Sequence, residues 1–394
     1  MSDAVAKHNA RVLAVAQALG GASPAIVISL AGLVGQGLAS NKGLATLPVS
    51  LLQLGLAAGT IPAALLMRHV GRRTGYMLGA LIGVLAGCVS AYGIVSAAFA
   101  VFCLGTFLAG GFGSFVQSYR FAATDAASEA FKPRAIGWVM AGGLAAGIIG
   151  PQTVIWTRDA LSHAPFAGGF LGQSALALLS IPVVALLRPM PVASAPRSGG
   201  RPLGVILRQP RFVTAAASGL VTYGLMSFVM TAAPLAMVGC GHAVGEAALG
   251  IQWHILAMFG PSFLTGRLIV RFGKEPVTAA GLVLIAAAAA VGLSGLSVAH
   301  FWIALVLLGL GWNLGFIGAT ALVTACYRPE ERAKVQAAND FLVFGSVAAA
   351  SFSSGSLLNS AGWEAVNWLV FPPVAVSLAL LALGRRQVGG TAPA

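Results

Sequence analysis

Long apolar runs, most of them twenty or more residues, alternate along the whole chain with short polar or basic stretches. Twelve such runs can be drawn: 12–37, 44–67, 75–95, 98–118, 135–156, 166–187, 212–239, 246–270, 276–297, 301–326, 335–357 and 363–384. Coiled as an α-helix at about 1.5 Å per residue, a run of this length matches the thickness of a bilayer core. The ten-residue alternation of a membrane barrel strand is not seen. The pattern predicts an all-α membrane protein with twelve transmembrane helices. The run beginning at Val12 is long for a signal-peptide core and more runs follow, so a retained first helix is expected.

Composition agrees. The 394 residues are 58% hydrophobic and only 8% charged, with a mean hydropathy of +0.88. A soluble chain of this size would keep a charged skin. The net charge of +13 could suggest nucleic acid until it is mapped onto the loops. If the N-terminus is cytoplasmic, all but Lys42 and Arg158 of the 23 Lys and Arg residues fall on or near the inner side. That is the bias of the positive-inside rule, and it predicts both termini in the cytoplasm with the lipid bilayer, not nucleic acid, as partner. Cys88, Cys103, Cys240 and Cys326 are spread along the chain without a C-x-x-C pair, so no disulfide framework is indicated.

Residues 189–210, rich in Pro, Gly and Arg, interrupt the series. They read as a cytoplasmic linker between an N-terminal six-helix bundle, 1–188, and a C-terminal six-helix bundle, 211–394. Each half has a short basic loop between its second and third runs, around Arg68-His69-Val70-Gly71-Arg72-Arg73 and Gly266-Arg267-Leu268-Ile269-Val270-Arg271-Phe272-Gly273-Lys274. Tyr119-Arg120 recurs as Tyr327-Arg328. A duplicated six-helix unit is the plan of a parallel-repeat transporter.

The two basic loops resemble the inner-loop signature of the major facilitator superfamily, roughly G-x-x-x-D-R-x-G-R-R. The resemblance implies that fold, alternating access, and an inner gate at Arg68, Gly71, Arg72, Gly266, Arg271 and Gly273. Arg68 and Val270 stand where acids are usual, so the gate's usual charge pairing is not expected here. The same arginines can also be read as topology signals alone.

Four of the nine methionines, Met226, Met230, Met237 and Met258, fall within residues 226–258. Met226 and Met230 share a helix face in the seventh run, and His254 and Met258 do so in the eighth. Counted from the outer ends of the two runs, Met230 and His254 lie about 12–13 Å deep and Met226 and Met258 about 18–19 Å. Thioether sulfur and neutral imidazole suit a soft monovalent cation such as Cu(I). An imidazole must be neutral to bind metal, so binding is expected to fade below about pH 6.5. Against this stands the ordinary use of Met as a flexible filler of apolar cores. Met237, Cys240 and His242 are candidates for an outer metal relay.

M-x-x-x-M at Met226–Met230 followed by H-x-x-x-M at His254–Met258 resembles the CcoA-type copper importers of that superfamily, the calthipeptide transporter family. The resemblance implies copper, as an ion or small complex, carried across the bacterial inner membrane to supply haem–copper cytochrome oxidase. Copper would be cargo, with no resident cofactor, and a monomer is expected. Two alternatives stand beside it: a facilitator-type carrier of a small organic solute or copper–chelator complex, and a non-transporting copper sensor. No nucleophile–base pair or phosphate loop suggests an enzyme.

Other polar positions are open at this stage. Asp340, early in the eleventh run, could couple transport to protons or pair with basic groups such as Arg332 or Lys334. Asn313 beside Trp312, and Gln36, Gln53, Gln152 and Gln252, either line a cavity or bond another helix.

Overall fold

The computed structural model describes residues 3–125, 127, 128, 131–189 and 200–389. Part of the expected linker, residues 190–199, lies outside the described residues. All regular structure among the described residues is helical. The chain divides into two compact units, one of Met1–Ser194 with Met237–Gln252, the other of Ala195–Ala236 with Trp253–Ala394.

The first unit contains α1 (Ala4–Gly20), α2 (Ala22–Leu38), α3 (Leu47–Val95), α4 (Phe99–Gln117), α5 (Tyr119–Ala122), α6 (Lys132–Thr157) and α7 (Ala167–Ala185). In the remaining sequence follow α8 (Leu203–Leu207), α9 (Pro210–Gly239), α10 (Val244–Phe259), α11 (Ser262–Phe272), α12 (Lys274–Ser294), α13 (Val298–Thr324), α14 (Arg332–Trp368) and α15 (Phe371–Gly389).

Among the described residues nine helical stretches are long and apolar enough to cross a membrane, or ten if α10 and α11 count as one bent span. Two stretches, Lys42–Val95 and Lys334–Leu383, hold 54 and 50 residues. Straight, they would measure about 80 and 75 Å, more than twice a bilayer core. Each is interrupted at a left-handed glycine, Gly71 (φ 80°) and Gly362 (φ 79°). At the first break the chain folds back, because a β-carbon on Gly75 would lie 3.4 Å from the Cα of Met67. Taking α10 and α11 as one bent span and counting these two stretches twice gives twelve crossings among the described residues, as the hydrophobic pattern predicts.

The boundaries differ in instructive ways. The first helix starts at Ala4, two turns before the expected Val12. Lys7 and Arg11 are therefore helical. Their cations lie 5.9 Å from the Phe131 ring and 5.5 Å from the Trp138 ring, where an aromatic face stabilises the charge. The eighth span is not straight: α10 and the residues from Leu264 onward meet at 48°. Pro261, at the corner, supplies no N–H to the preceding turn.

Helices approach closely where side chains vanish. A β-carbon at Gly110 of α4 would overlap the Leu52 carbonyl oxygen of α3, and one at Gly55 would overlap the Phe107 carbonyl oxygen. In the second unit a β-carbon at Gly281 of α12 would overlap the backbone of Gly315 in α13. Lipid-embedded helices gain stability from such close backbone packing, since no hydrophobic effect drives them together.

Candidate functional site

The middle of the second unit is aromatic. Tyr223 lies midway along α9, Phe259 ends α10, Trp312 and Phe316 occupy successive turns of α13, and Phe344 lies in α14. Trp312 and Phe316 are i, i+4 and stack, with centroids 5.2 Å apart and planes 20° from parallel. Tyr223 meets both edge-on, at 5.3 and 5.0 Å, and also meets Phe344 at 6.0 Å. Phe259 closes the other side at 5.8 Å from Trp312. Because rings from four helices converge, they face the interior of the unit and not lipid. Trp312 is buried while the other four are half-buried.

Polar side chains on the same helices bond across them. The Asn313 amide donates to the Met258 carbonyl and to Ser262 Oγ, each at 2.7 Å, and its oxygen accepts from the Thr265 hydroxyl. Asn313 thus bonds another helix, which resolves the choice its sequence position left open. Thr231 of α9 shares a 2.7 Å bond with Ser351 of α14. Two buried groups, Trp312 Nε1 and Ser227 Oγ, have no hydrogen-bond partner. Ser227 is one turn beyond Tyr223, on the same face of α9.

The residues expected to bind copper lie in the same helices. Met226 and Met230 are buried in α9, and Met258 is half-buried. His254 is fully buried, with Nδ1 2.8 Å from the Leu305 carbonyl oxygen. A carbonyl only accepts, so Nδ1 carries the proton and Nε2 presents its lone pair, without a partner. Among the described residues no group of three or more His, Cys, Asp or Glu is arranged to hold a metal.

The outer-relay candidates gather at one turn in the first unit. The N–H groups of Cys240 and His242 both reach the Met237 carbonyl, at 3.2 and 3.1 Å, around Gly241 at φ 89°. Met237 is buried, Cys240 is an exposed free thiol and His242 is half-buried. In this unit Gln152 also donates to Gln252 at 3.0 Å.

At the inner-gate candidates, Gly71 and Gly273 both take positive φ, 80° and 92°, as their shared loop position requires. Arg68, Gly266 and Arg271 are exposed. Arg72 pairs with Asp125, from the loop after α5. Burial pushes the Asp125 carboxyl up from its ordinary value while Arg72 pulls it down. The second half answers with a different arginine. Arg201 holds Glu331 through Nε and Nη2 at 2.8 Å each, and its own N–H adds a third bond of 2.8 Å. These bonds hold the Glu331 carboxyl far below the usual carboxylate range. Asp340 is exposed on α14.

Sequence reasoning missed the aromatic cluster. The signal was the i, i+4 pair of Trp312 and Phe316, but Tyr223, Phe259 and Phe344 come from three other helices and have no common spacing.

The chain belongs to the Major Facilitator Superfamily, whose family model matches residues 12–263 and 231–393. It is 61% identical, over 398 aligned residues and all of both chains, to a Brucella anthropi protein named riboflavin transporter RfnT. It is 30% identical over 380 residues to the uncharacterized MFS-type transporter YdeG of Bacillus subtilis, covering 92% of this chain and 88% of that one. Among solved structures it resembles the nucleoside transporter NupG, with a TM-score of 0.71 at 15% identity over 96% of this chain and 98% of the other. A bacterial homolog of the human lysosomal transporter Spinster gives 0.67 at 14% identity over 97% and 96%. RfnT is named for a cargo other than the copper expected of the Met and His motifs. The copper-importer resemblance is corrected to membership of the wider superfamily.

Proposed function

We propose that this protein carries riboflavin across the bacterial inner membrane by alternating access, with both termini in the cytoplasm. The observation that carries the reading is the 61% identity with the riboflavin transporter over the full length of both chains. The chemistry of the interior supports it. Among the described residues, the buried polar side chains of the membrane segments are Ser, Thr, Asn, Gln and one His. A site for a charged solute would need a compensating charge at depth, whereas riboflavin is neutral at physiological pH. The orientation is supported by the basic loops, which fall on one side of the alternating spans.

The test is uptake of labelled riboflavin, and growth on limiting riboflavin, in a bacterial strain unable to synthesise it. Expression of this protein is expected to support both above the empty-vector level. Membrane-inserted protein that supports neither would overturn the assignment.

A further inference from the structure

Resting on the riboflavin reading, we infer that the Trp312–Phe316 pair, walled by Tyr223, is the platform that holds the flat tricyclic ring of the flavin, with Trp312 Nε1–H donating to a ring acceptor. Three independent observations meet here. First, Trp312 and Phe316 stack on each other, 20° from parallel with centroids 5.2 Å apart, so a planar ligand would extend this stack on one of its outer faces. Aromatic groups prefer offset stacking on such a surface. Tyr223 stands at 75° and 67° to the two rings, a side wall that limits where a planar ligand can slide.

Second, buried polar atoms beside the platform are unsatisfied. Trp312 Nε1 is a donor and nothing else, and it is buried without an acceptor. Ser227 Oγ, one turn along α9 from Tyr223, is also buried and unpartnered. In a membrane interior such groups are costly, because no bulk water can satisfy them. An isoalloxazine ring carries two carbonyl oxygens and bare ring nitrogens along its polar edge, the acceptors these groups lack, while its broad face suits the platform.

Third, depth fits. Tyr223 is near the centre of Pro210–Gly239 and Trp312 near the centre of Val298–Thr324. Transporters of this plan hold substrate near the bilayer midplane.

The experiment is riboflavin titration of purified full-length protein in nanodiscs, following flavin fluorescence, which stacking on indole quenches. Wild type is expected to quench the flavin on binding. Trp312→Ala should lose the quenching and weaken binding at least about tenfold, because stacking and hydrogen bond go together. Trp312→Phe keeps a ring and loses only the donor, so binding should weaken by about three- to tenfold. This conservative variant answers the question if the alanine variant does not fold. Trp156→Ala, on an exposed residue of the first unit, should behave as wild type. Folded Trp312 variants that bind and quench like wild type would overturn the inference while leaving riboflavin transport standing. A wild type that neither binds nor transports riboflavin would overturn both.

Discussion

Asn313 donates its amide to the carbonyl of Met258 at 2.7 Å, tying the middle of α13 to the end of α10, where the eighth span bends. The bend interrupts the helical ladder, because Pro261 has no N–H to give. At the same bend the Met258 carbonyl takes a side-chain donor from another helix. Asn313→Ala should therefore leave a buried carbonyl poorly satisfied and cost about 1–3 kcal/mol. A lower thermal-unfolding midpoint in detergent is the expected reading, and an unchanged midpoint would refute the capping role.

Gly110 and its neighbour Gly111 make a controlled pair. A side chain at Gly110 meets the Leu52 carbonyl, whereas one at Gly111 meets nothing within 4 Å. Gly110→Leu is expected to abolish folded protein in the membrane fraction. Gly111→Ala should stay within about 0.5 kcal/mol of wild type. Fluorescence-detected size exclusion distinguishes the two.

Arg72 and Asp125 are expected to behave as a unit. Removing one partner leaves a partly buried charge without its counterion, which is more damaging than losing the pair. Arg72→Ala should lower both the unfolding midpoint and riboflavin uptake. The exchange Arg72→Asp with Asp125→Arg should recover part of each, and failure of the exchange to improve on the single variant would argue against direct pairing.

Glu331 gives a pH prediction. Its folded carboxyl is held far below its ordinary value of 4.5 by Arg201 and by the Arg328 N–H. A depressed carboxyl stabilises the fold fully above its unfolded value, and the stabilisation is lost only as pH falls through the lower, folded value. The difference in unfolding midpoint between wild type and Glu331→Gln should therefore be constant from about pH 5 to pH 8. A difference that vanished near pH 6 would contradict the pairing.

Copper provides a further check. Cellular copper should be the same with and without expression of the protein, and unchanged by Met226→Ala or Met258→Ala. A rise on expression that either variant removed would return the Met and His motifs to the centre of the function.

The twelve-span plan was legible because bilayer thickness imposes a length on every apolar run, and the duplicated basic loops marked the repeat. Gly71 and Gly273, picked out through the resemblance of the two basic loops to the superfamily signature, both take positive φ. The bend at Pro261 was missed because hydropathy does not register one absent N–H. The site was harder to read. Met226, Met230 and His254 advertise themselves through regular spacing within single helices, and that local regularity suggested a metal. The aromatic cluster is assembled from four helices, and only tertiary packing brings Tyr223 to Trp312. Arg201 was likewise hidden, because its partner Glu331 is 130 residues away in sequence.

The backbone contact between Gly281 and Gly315 has a kinetic corollary. With no side chain between them, α12 and α13 have no room to slide or part without first opening a void in their seam. Whatever rearrangement accompanies each turnover, this pair should travel as a single stiff lever. Spin labels on the two helices would then report one unvarying separation throughout the cycle.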